Sequence, residues 1–572
     1  MSATADRVAY APPSALSGWR RLSRAQWVAT AILVLIAALV LAPLASLLAI
    51  ASGGDAQIWG DLAAYVIPNA LRETALLLAG VAVLTGTIGI ATAWLVTAYT
   101  FPGRAALVWL LPLPLAIPTY IVAYIYADLL DAAGPVQSAL RGMAGWQSPR
   151  DYWFPEIRSL GGAVFVMTLV LYPYVYLSAR AMFQTQSACL LEVARTLGAS
   201  RFALLRHVAL PLARPALAVG LSLALLETLN DIGATEYLGV RTLTVTIFTT
   251  WLNRGSLPAA AQIACVMLVV IIALVALERS GRGQRRFALS ERRPRLVSPM
   301  PLAGWRGIAA CAACVLPVLL GFVLPVAALA RETVLRGLLV GFDPELWRHA
   351  LNTVLLAGSA TLVTIVLGLA AAIALRLAPF RLAHGCMLIA GLGYAVPGTV
   401  LALGLLAPLV AVDEGLNALV RAGTGANIGL VAMGSGAALI VAYAIRFLTI
   451  AAGSVQAGLG RISTHVDDAA RTLGAHTGEV VRVLHLPMLR PAIGAAALLV
   501  FVDCLKELPA TLLLRPLNVE TLPTYIYQFA TRGSFEEGAL AALLIVTVGV
   551  LPVIRLVRYT ERRIASVSLL AP

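Results

Sequence analysis

Two short groups of polar side chains interrupt long apolar runs, and they are the residues in this sequence best placed to do chemistry. The six residues are Glu227, Asn230, Asp231, Asp503, Lys506 and Glu507. The groups correspond one to one at a separation of 276 positions, and the spacing i, i+3, i+4 within each group predicts a shared helix face. A charged side chain at the middle of a membrane costs about 2.5–3.5 kcal/mol on insertion scales. We therefore expect both groups to face a protein interior or an aqueous cavity.

Two interpretations of these polar groups are open. In the first, both groups line or gate a translocation path between the two halves of the chain. In the second, Lys506 merely neutralises Asp503 or Glu507 and closes a structural network. The interpretations are compatible, because a gate can be a network that breaks on opening.

The four carboxylates in these groups offer hard oxygen atoms, which hard cations prefer as ligands. No Tyr or His cluster with ligand spacing accompanies them, so no metal ligand is assigned. Cys311 and Cys314 have the spacing of some metal and redox pairs, but they lie inside a predicted membrane helix without a second pair. Packing is the favoured interpretation of both cysteines.

The elements that must position these residues are membrane helices. The chain has 572 residues, of which 60% are hydrophobic and 12% charged, whereas about a quarter of the residues of a soluble protein are charged. Many apolar runs have the roughly 20 residues needed to cross a bilayer. This composition excludes a soluble multidomain enzyme and a disordered chain. The net charge of +14 is spread over short segments between apolar runs, which argues against nucleic-acid binding.

Twelve membrane helices are predicted, with basic segments that place both termini in the cytoplasm. The predicted helices are 27–51, 70–98, 105–130, 160–183, 213–235 and 260–278 in the first half, and 306–330, 350–375, 385–411, 428–452, 489–514 and 538–558 in the second. The predicted division is a cytoplasmic N-terminal tail (1–26), a first six-helix repeat (27–278), a basic cytoplasmic linker (279–305), a second six-helix repeat (306–558) and a cytoplasmic C-terminal tail (559–572).

Short motifs recur between the two halves. Leu78-Ala79-Gly80 recurs as Leu356-Ala357-Gly358, and Arg214-Pro215 recurs as Arg490-Pro491. Because each half crosses the membrane six times, the repeats have the same orientation, which implies a pseudo-twofold axis along the membrane normal. A path between the halves is the natural consequence.

A polar loop precedes the fifth span of each half, and its internal spacing is the same in both copies. Its marked residues are Glu192, Ala194, Gly198, Leu210 and Pro211 in the first copy, and Asp468, Ala469, Ala470, Gly474, Leu486 and Pro487 in the second. Glycine permits a sharp turn, and each proline is placed to open the next helix at its first turn. Flanking arginines could pair with a partner protein or with anionic lipid headgroups.

This pattern resembles the EAA loop of ABC importer permeases. Val193 and Asp468 depart from the Glu-Ala-Ala consensus of that loop. The resemblance implies a short helix that docks into a cleft on a separate ATPase, with two ATPase copies for one fused chain. The chain has a single lysine, Lys506, and no phosphate-binding G-x-x-x-x-G-K-[ST] motif. We therefore expect a transport subunit that is not itself an enzyme and binds no cofactor, with ATP and Mg²⁺ used by the partner ATPase.

The segments around the polar groups are similar to the fused iron(III) permeases of bacterial inner membranes. The resemblance rests on residues 231–237, on Thr249-Thr250-Trp251 and on residues 506–516. It implies the MetI-like fold of type I importers and iron(III) received from a periplasmic binding protein. Permeases for thiamine or phosphonates share this architecture, so another small solute is the alternative.

A second class of function is an ion-coupled secondary transporter, which can also have twelve spans in two parallel halves. It would leave the paired cytoplasmic loops unexplained. An intramembrane enzyme would need a catalytic constellation, and the six histidines form no metalloprotease-type helix pair. The importer permease is the interpretation that accounts for both the loops and the polar groups.

Overall fold

The computed structural model describes residues 23–54, 56–185, 196, 200–282, 299–339 and 343–569. Within these ranges the fold is almost wholly helical, and eleven helices are long and apolar enough to cross a membrane. A twelfth crossing results if the helix pair Arg104–Ala116 and Thr119–Ala144, bent by 92°, counts as one span. The predicted all-α polytopic membrane fold is confirmed.

The helices follow one order in both halves. Those of the first half are α1 (Arg24–Ser52), α2 (Ala56–Asp61), α3 (Ile67–Ala98), α4 (Arg104–Leu110), α5 (Thr119–Leu130), α6 (Pro135–Ala144), α7 (Leu160–Thr185), α8 (Arg201–Leu204), α9 (Leu210–Asn230), α10 (Gly233–Tyr237), α11 (Leu243–Leu252) and α12 (Leu257–Arg282). Those of the second half are α13 (Trp305–Val318), α14 (Leu324–Leu335), α15 (Pro344–Leu377), α16 (Arg381–Ala390), α17 (Gly398–Thr424), α18 (Ala437–Leu459), α19 (Thr464–Thr472), α20 (Thr477–Glu479), α21 (Leu486–Lys506), α22 (Pro509–Leu514), α23 (Leu522–Thr531) and α24 (Ala539–Leu569). Two short strands, β1 (Tyr99–Thr100) and β2 (Met300–Pro301), pair in parallel.

The two halves repeat one packing arrangement. Helix α3 packs along α7 in the first half, and α15 packs along α18 in the second. A Cβ atom on Gly89 would lie 2.9 Å from the backbone nitrogen of Tyr176, and one on Gly368 would lie 2.9 Å from that of Ala452. Glycine at both positions is therefore what lets these helix pairs approach closely. Tyr176 and Ala452 are 276 positions apart, the separation of the two polar groups and of the Arg-Pro motif.

The first span of each half also packs against the opposite half. Helix α1 contacts α15, α16 and α17 of the second half. In the other direction, the hydroxyl of Tyr126 on α5 donates a 2.8 Å hydrogen bond to the carbonyl of Leu320, between α13 and α14. The predicted repeats 27–278 and 306–558 are thus interlocked, which the motif comparison did not indicate.

The predicted third spans, 105–130 and 385–411, are wrong as continuous helices. The chain breaks at Ile117-Pro118 between α4 and α5, and at Val396-Pro397 between α16 and α17. Ile117 and Val396 are extended, with ψ of 126° and 121°. Proline disfavours the helical conformation of the residue before it, so both copies break at the same place.

The predicted fifth spans, 213–235 and 489–514, are also too long. Helices α9 and α21 end at Asn230 and Lys506, and the next residues, Asp231 and Glu507, are extended. Short helices α10 and α22 then follow. The i, i+3, i+4 face therefore holds only for the first two members of each polar group, because the third lies just beyond the helix end.

Pro211 and Pro487 lie in the first turn of α9 and α21, as expected. Each follows a π-helical segment, Leu205–Ala209 or Val480–His485, that continues directly into α9 or α21. Proline clashes with the carbonyl four residues earlier, and an i→i+5 turn moves that carbonyl aside. Each α-helix thus begins at its Leu-Pro pair, while the preceding π-helical segment already supplies helical backbone that leads into it.

The predicted helix 428–452 begins too early, since α18 starts at Ala437. Asp413, fully buried on α17, accepts hydrogen bonds from the backbone N–H groups of Val431, Ala432 and Met433. These bonds take the place of helical ones and hold the segment as a loop.

Candidate functional site

A cavity of about 80 Å³ lies where the ends of α9 and α21 meet, and all six predicted polar residues line it. Around it are the Pro118 break before α5, the middle of α7 and the middle of α18. The structure thus brings together two groups that are 276 positions apart in the chain. Four carboxyl groups and two basic groups converge there: Glu227, Asp231, Asp503, Glu507, Arg446 and Lys506.

Asp231 and Glu507 play the same structural part in the two halves. A side-chain oxygen of Asp231 accepts from the backbone N–H of Ala234 at 2.7 Å, and one of Glu507 accepts from that of Ala510 at 3.1 Å. Both carboxyl groups therefore satisfy amides at the start of α10 and α22. The hydroxyl of Thr119 also donates to Asp231. These two buried acids fix the turn after each fifth span.

Arg446 is the residue of this site that sequence reasoning missed. It lies on α18, is only 4% exposed, and donates from Nη1 to Oδ1 of Asn230 at 2.7 Å; Oε1 of Glu507 lies 3.5 Å from the same nitrogen. An available signal was its position as the single charged residue of α18. Val170, 276 positions earlier, lines the same cavity, so only the second half supplies an arginine here.

Hydrogen bonds cross between the halves at this cavity. The hydroxyl of Tyr394 donates to Oε1 of Glu227 at 2.7 Å, joining the second half to α9. Oδ1 of Asn230 accepts from the backbone N–H of Gly398 at 2.8 Å as well as from Arg446. The ends of the first-half helices are therefore held by partners from the second half.

Lys506 pairs with Asp503, one turn earlier on α21. Its Nζ lies 2.9 Å from Oδ1 of Asp503, and the two side chains are 27% and 24% exposed. Of the two acids considered from the sequence, Lys506 thus contacts Asp503, while Glu507 is bound by Arg446 and the start of α22. This contact is the network that the second interpretation expects, and its place in the cavity wall keeps the gating interpretation compatible with it.

Within the described parts of the chain, no group of three or more His, Cys, Asp and Glu side chains has a geometry that could hold a metal ion. No metal ligand is assigned. The arrangement instead offers hydrogen bonds between the halves and ion pairs within the second half, next to a small polar space.

The first polar loop lies largely outside the described residues. Glu192, Ala194 and Gly198 lie outside the described residues. Leu210 and Pro211, the last two marked residues, form the start of α9. All marked residues of the second loop are among those that the structure describes.

In the second loop, α19 carries Asp468, Ala469 and Ala470 and is a short helix of nine residues. The side chain of Asp468 is 66% exposed and lies 3.6 Å from Arg471 on the same helix. Gly474 follows with φ of 88°, a left-handed conformation that favours glycine. Leu486 and Pro487 then begin α21. The loop presents one exposed acid on a short helix and returns through a glycine turn.

Asp467, the residue before Asp468, is buried and was not singled out from the sequence. Its Oδ2 lies 2.9 Å from Nε of Arg376 on α15, and its Oδ1 lies 2.8 Å from Nε2 of His485. Burial by itself would raise the pKa of Asp467, but the bonds from Arg376 and His485 outweigh it and lower that pKa. The acid therefore stays ionised and joins the loop to its own helices.

The chain matches one family twice. The binding-protein-dependent transport system inner membrane component family matches residues 86–286 and again residues 364–566. Two matches to one family, one in each half of the chain, confirm the internal repeat that the motifs indicated.

Individual proteins are similar to this chain over different lengths. The Fe(3+)-transport system permease protein FbpB 2 of Haemophilus influenzae is 24% identical over 86% of this chain and 89% of its own length. The sulfate transport system permease protein CysT of Salmonella typhimurium is 28% identical over 42% of this chain and 87% of its own. The molybdenum transport system permease protein ModB of Escherichia coli is 30% identical over 34% of this chain and 88% of its own.

Proposed function

This chain belongs to the family of binding-protein-dependent transport system inner membrane components, and we propose that it is the permease of an ATP-driven importer of iron(III). The family and the two fused repeats make it a multi-pass transport subunit. In the proposed assembly, one copy of this chain works with two copies of an ATPase subunit and with a periplasmic binding protein. It lies in a bacterial inner membrane with both termini in the cytoplasm.

The observation that carries the iron proposal is the cavity at the ends of α9 and α21. Four carboxyl groups and only two basic groups line it, and an excess of acidic groups along a path favours a cation over an oxyanion. The iron(III) permease of Haemophilus influenzae supports the same choice, because it matches both repeats of this chain. The sulfate and molybdenum permeases each match about the length of one repeat.

Alternating access is supported by the bonds that cross the cavity. Tyr394 with Glu227 and Arg446 with Asn230 join the two halves in this conformation. Rocking of one half against the other would break these contacts and open the space between them. Because the contacts are a few hydrogen bonds, they can be remade when the halves return.

Coupling to ATP hydrolysis is proposed for the two polar loops. The exposed Asp468 on α19, followed by the Gly474 turn, presents a compact surface to a partner. We propose that ATPase closure pushes this helix and its counterpart around Glu192, and that each push reaches the cavity through the fifth span that follows.

The test is uptake into proteoliposomes that contain this chain and its ATPase, with the binding protein added outside. Radiolabelled iron(III), sulfate, molybdate and 2-aminoethylphosphonate are supplied in parallel, with and without internal ATP. ATP-dependent accumulation of iron(III) alone is expected. Accumulation of one of the three anions instead would overturn the iron assignment and leave the importer assignment intact.

The importer assignment has its own control. Uptake that persists without ATP and is abolished by an uncoupler would identify an ion-coupled secondary transporter, and would contradict the proposed function as a whole. If the chain is purified in mild detergent and no ATPase subunit is recovered with it, the proposed function is contradicted in the same way.

A further inference from the structure

We propose that Arg376, Asp467 and His485 form a clamp that makes the second coupling loop move as one body with its own half. The three residues are positioning residues and do not contact the partner ATPase. The proposal rests on the coupling function proposed above. It adds that the residues of the clamp have no charged counterparts in the sequence of the first half.

The clamp is built from three separate elements. Arg376 lies near the end of α15, Asp467 lies on α19, and His485 lies in the π-helical segment that leads into α21. Asp467 uses one oxygen for each partner, Nε of Arg376 at 2.9 Å and Nε2 of His485 at 2.8 Å. The loop helix is therefore tied both to the second span of its half and to the start of the fifth.

Arg376 also binds the other end of the loop. Its Nη1 donates to the carbonyl of Leu459 at 2.7 Å, and its Nη2 donates to that of Ile462 at 3.1 Å. Leu459 is the last residue of α18, whose final carbonyls have no partner within the helix. A single guanidinium thus joins the end of α18, the turn after it and α19.

The clamp is buried, which makes it stiff. Asp467 is 7% exposed and His485 is 1% exposed. Charged hydrogen bonds in such surroundings are strong, and removing one partner leaves the other charge buried without it. Asp468, the next residue, is exposed. A push on the outer face of α19 is therefore passed to α15 and α21 and is not absorbed by bending of the loop.

The first half cannot build the same clamp. At the 276-residue separation, Asp467 corresponds to Leu191 and His485 to Ala209. The second spans match at 278 positions in the Leu-Ala-Gly motif and at 279 for Gly89 and Gly368, so Arg376 corresponds to Ala98 or Thr97. None of the counterparts, Leu191, Ala209, Ala98 and Thr97, carries a charge. The sequence therefore provides this clamp in the second half alone.

The test compares backbone hydrogen exchange in residues 463–475 of the full chain, purified with its ATPase in nanodiscs. The variants are Asp467→Asn and Arg376→Gln, alone and together. The control is Arg348→Gln, which makes the same change on the same helix, at an exposed pair with Glu345. Each clamp variant should raise exchange in 463–475 about tenfold, the size expected for one lost charged hydrogen bond. The double variant should raise exchange by less than the product of the two single effects, because both changes break the contact between Asp467 and Arg376.

The second measurement is the number of ATP molecules hydrolysed per molecule of iron(III) taken up in proteoliposomes. The clamp variants should raise this ratio several-fold, while Arg348→Gln should leave both measurements unchanged. Exchange in 463–475 that stays at the level of the unaltered chain would overturn the clamp. Raised exchange with an unchanged ATP ratio would overturn its role in coupling. Because exchange requires no transport, the clamp is tested even if the iron(III) assignment fails.

Discussion

Asp467 and Asp468 are adjacent on the same short helix, yet their side chains face different surroundings. That of Asp467 is 10% exposed and bound to Arg376 and His485, whereas that of Asp468 is 66% exposed. One acid therefore holds the loop to its own half, and the other is available to a partner. The sequence motif marked Asp468 alone.

Replacing Asp468 with Asn should weaken binding of the ATPase subunit without loosening the loop. The lost charge is exposed, so the fold of the chain should be unaffected, and affinity should fall about tenfold if one charged hydrogen bond to the partner is lost. Affinity can be measured by titrating the purified ATPase onto the chain in nanodiscs. Unchanged affinity, together with normal ATP-driven uptake, would show that Asp468 does not face the ATPase.

Replacing Gly474 with Ala should strain the turn that returns the loop to the membrane. Gly474 has φ of 88°, and no atom lies within 4 Å of a Cβ built there, so the cost comes from the backbone alone. A left-handed residue with a side chain costs about 1–2 kcal/mol. ATPase activity should persist while uptake falls. Gly478→Ala, which also has open space but no positive φ, is the matched control. Equal uptake by both variants would contradict the argument.

Replacing Arg446 with Gln should destabilise the chain and impair the gate. The change leaves Glu507 buried without its cation, and breaking a buried pair costs about 3–5 kcal/mol. The midpoint of thermal unfolding in detergent should fall, and uptake should be lost. Arg348→Gln removes an exposed ion pair and should alter neither quantity. A stable Arg446 variant with full uptake would show that the cavity does not depend on this bond.

Replacing Glu227 and Asp503 together with Gln and Asn should reduce uptake about tenfold, because it removes two of the acidic groups that favour a cation in the cavity, an effect of about 1.4 kcal/mol. Both acids line the cavity but cap no helix, so the chain should still assemble with its ATPase. Tyr394→Phe removes the hydroxyl bonded to Glu227 and retains both carboxyl groups. Normal uptake by the double variant would favour a purely structural network at this site.

The lowered pKa of Asp467 predicts how the clamp responds to acid. A carboxyl group with a lowered pKa in the folded state contributes stability above its usual value of 3.8 and loses it as the pH falls through the lower, folded value. The contribution from this carboxyl should therefore be constant from pH 8 to about 5. The exchange of residues 463–475 should differ between the unaltered chain and Asp467→Asn, and this difference should shrink only when the pH falls below the usual pKa of 3.8. A difference that disappears near neutral pH would contradict this.

Much of the architecture could be predicted because it depends on local pattern. Apolar runs, basic segments and motifs at a constant separation indicated the membrane class and the repeat, and both are confirmed. Helix ends were predicted less well. The breaks at Pro118 and Pro397 follow from the effect of each proline on the residue before it, which is a local rule. The early end of α9 depends on the side chain of Asp231, which accepts a hydrogen bond from the backbone of Ala234 and so caps α10. Periodicity does not reveal this contact.

The sequence by itself determined that this is a membrane protein of two parallel repeats, each with a polar loop before an acid-bearing span. These features follow from composition and spacing, which do not depend on how the helices pack. Only the tertiary structure decided that Arg446 binds Asn230, that Tyr394 binds Glu227 and that Asp467 binds Arg376. Each contact joins residues 91 or more positions apart. Such pairs depend on how separate helices cross, and no local pattern encodes that.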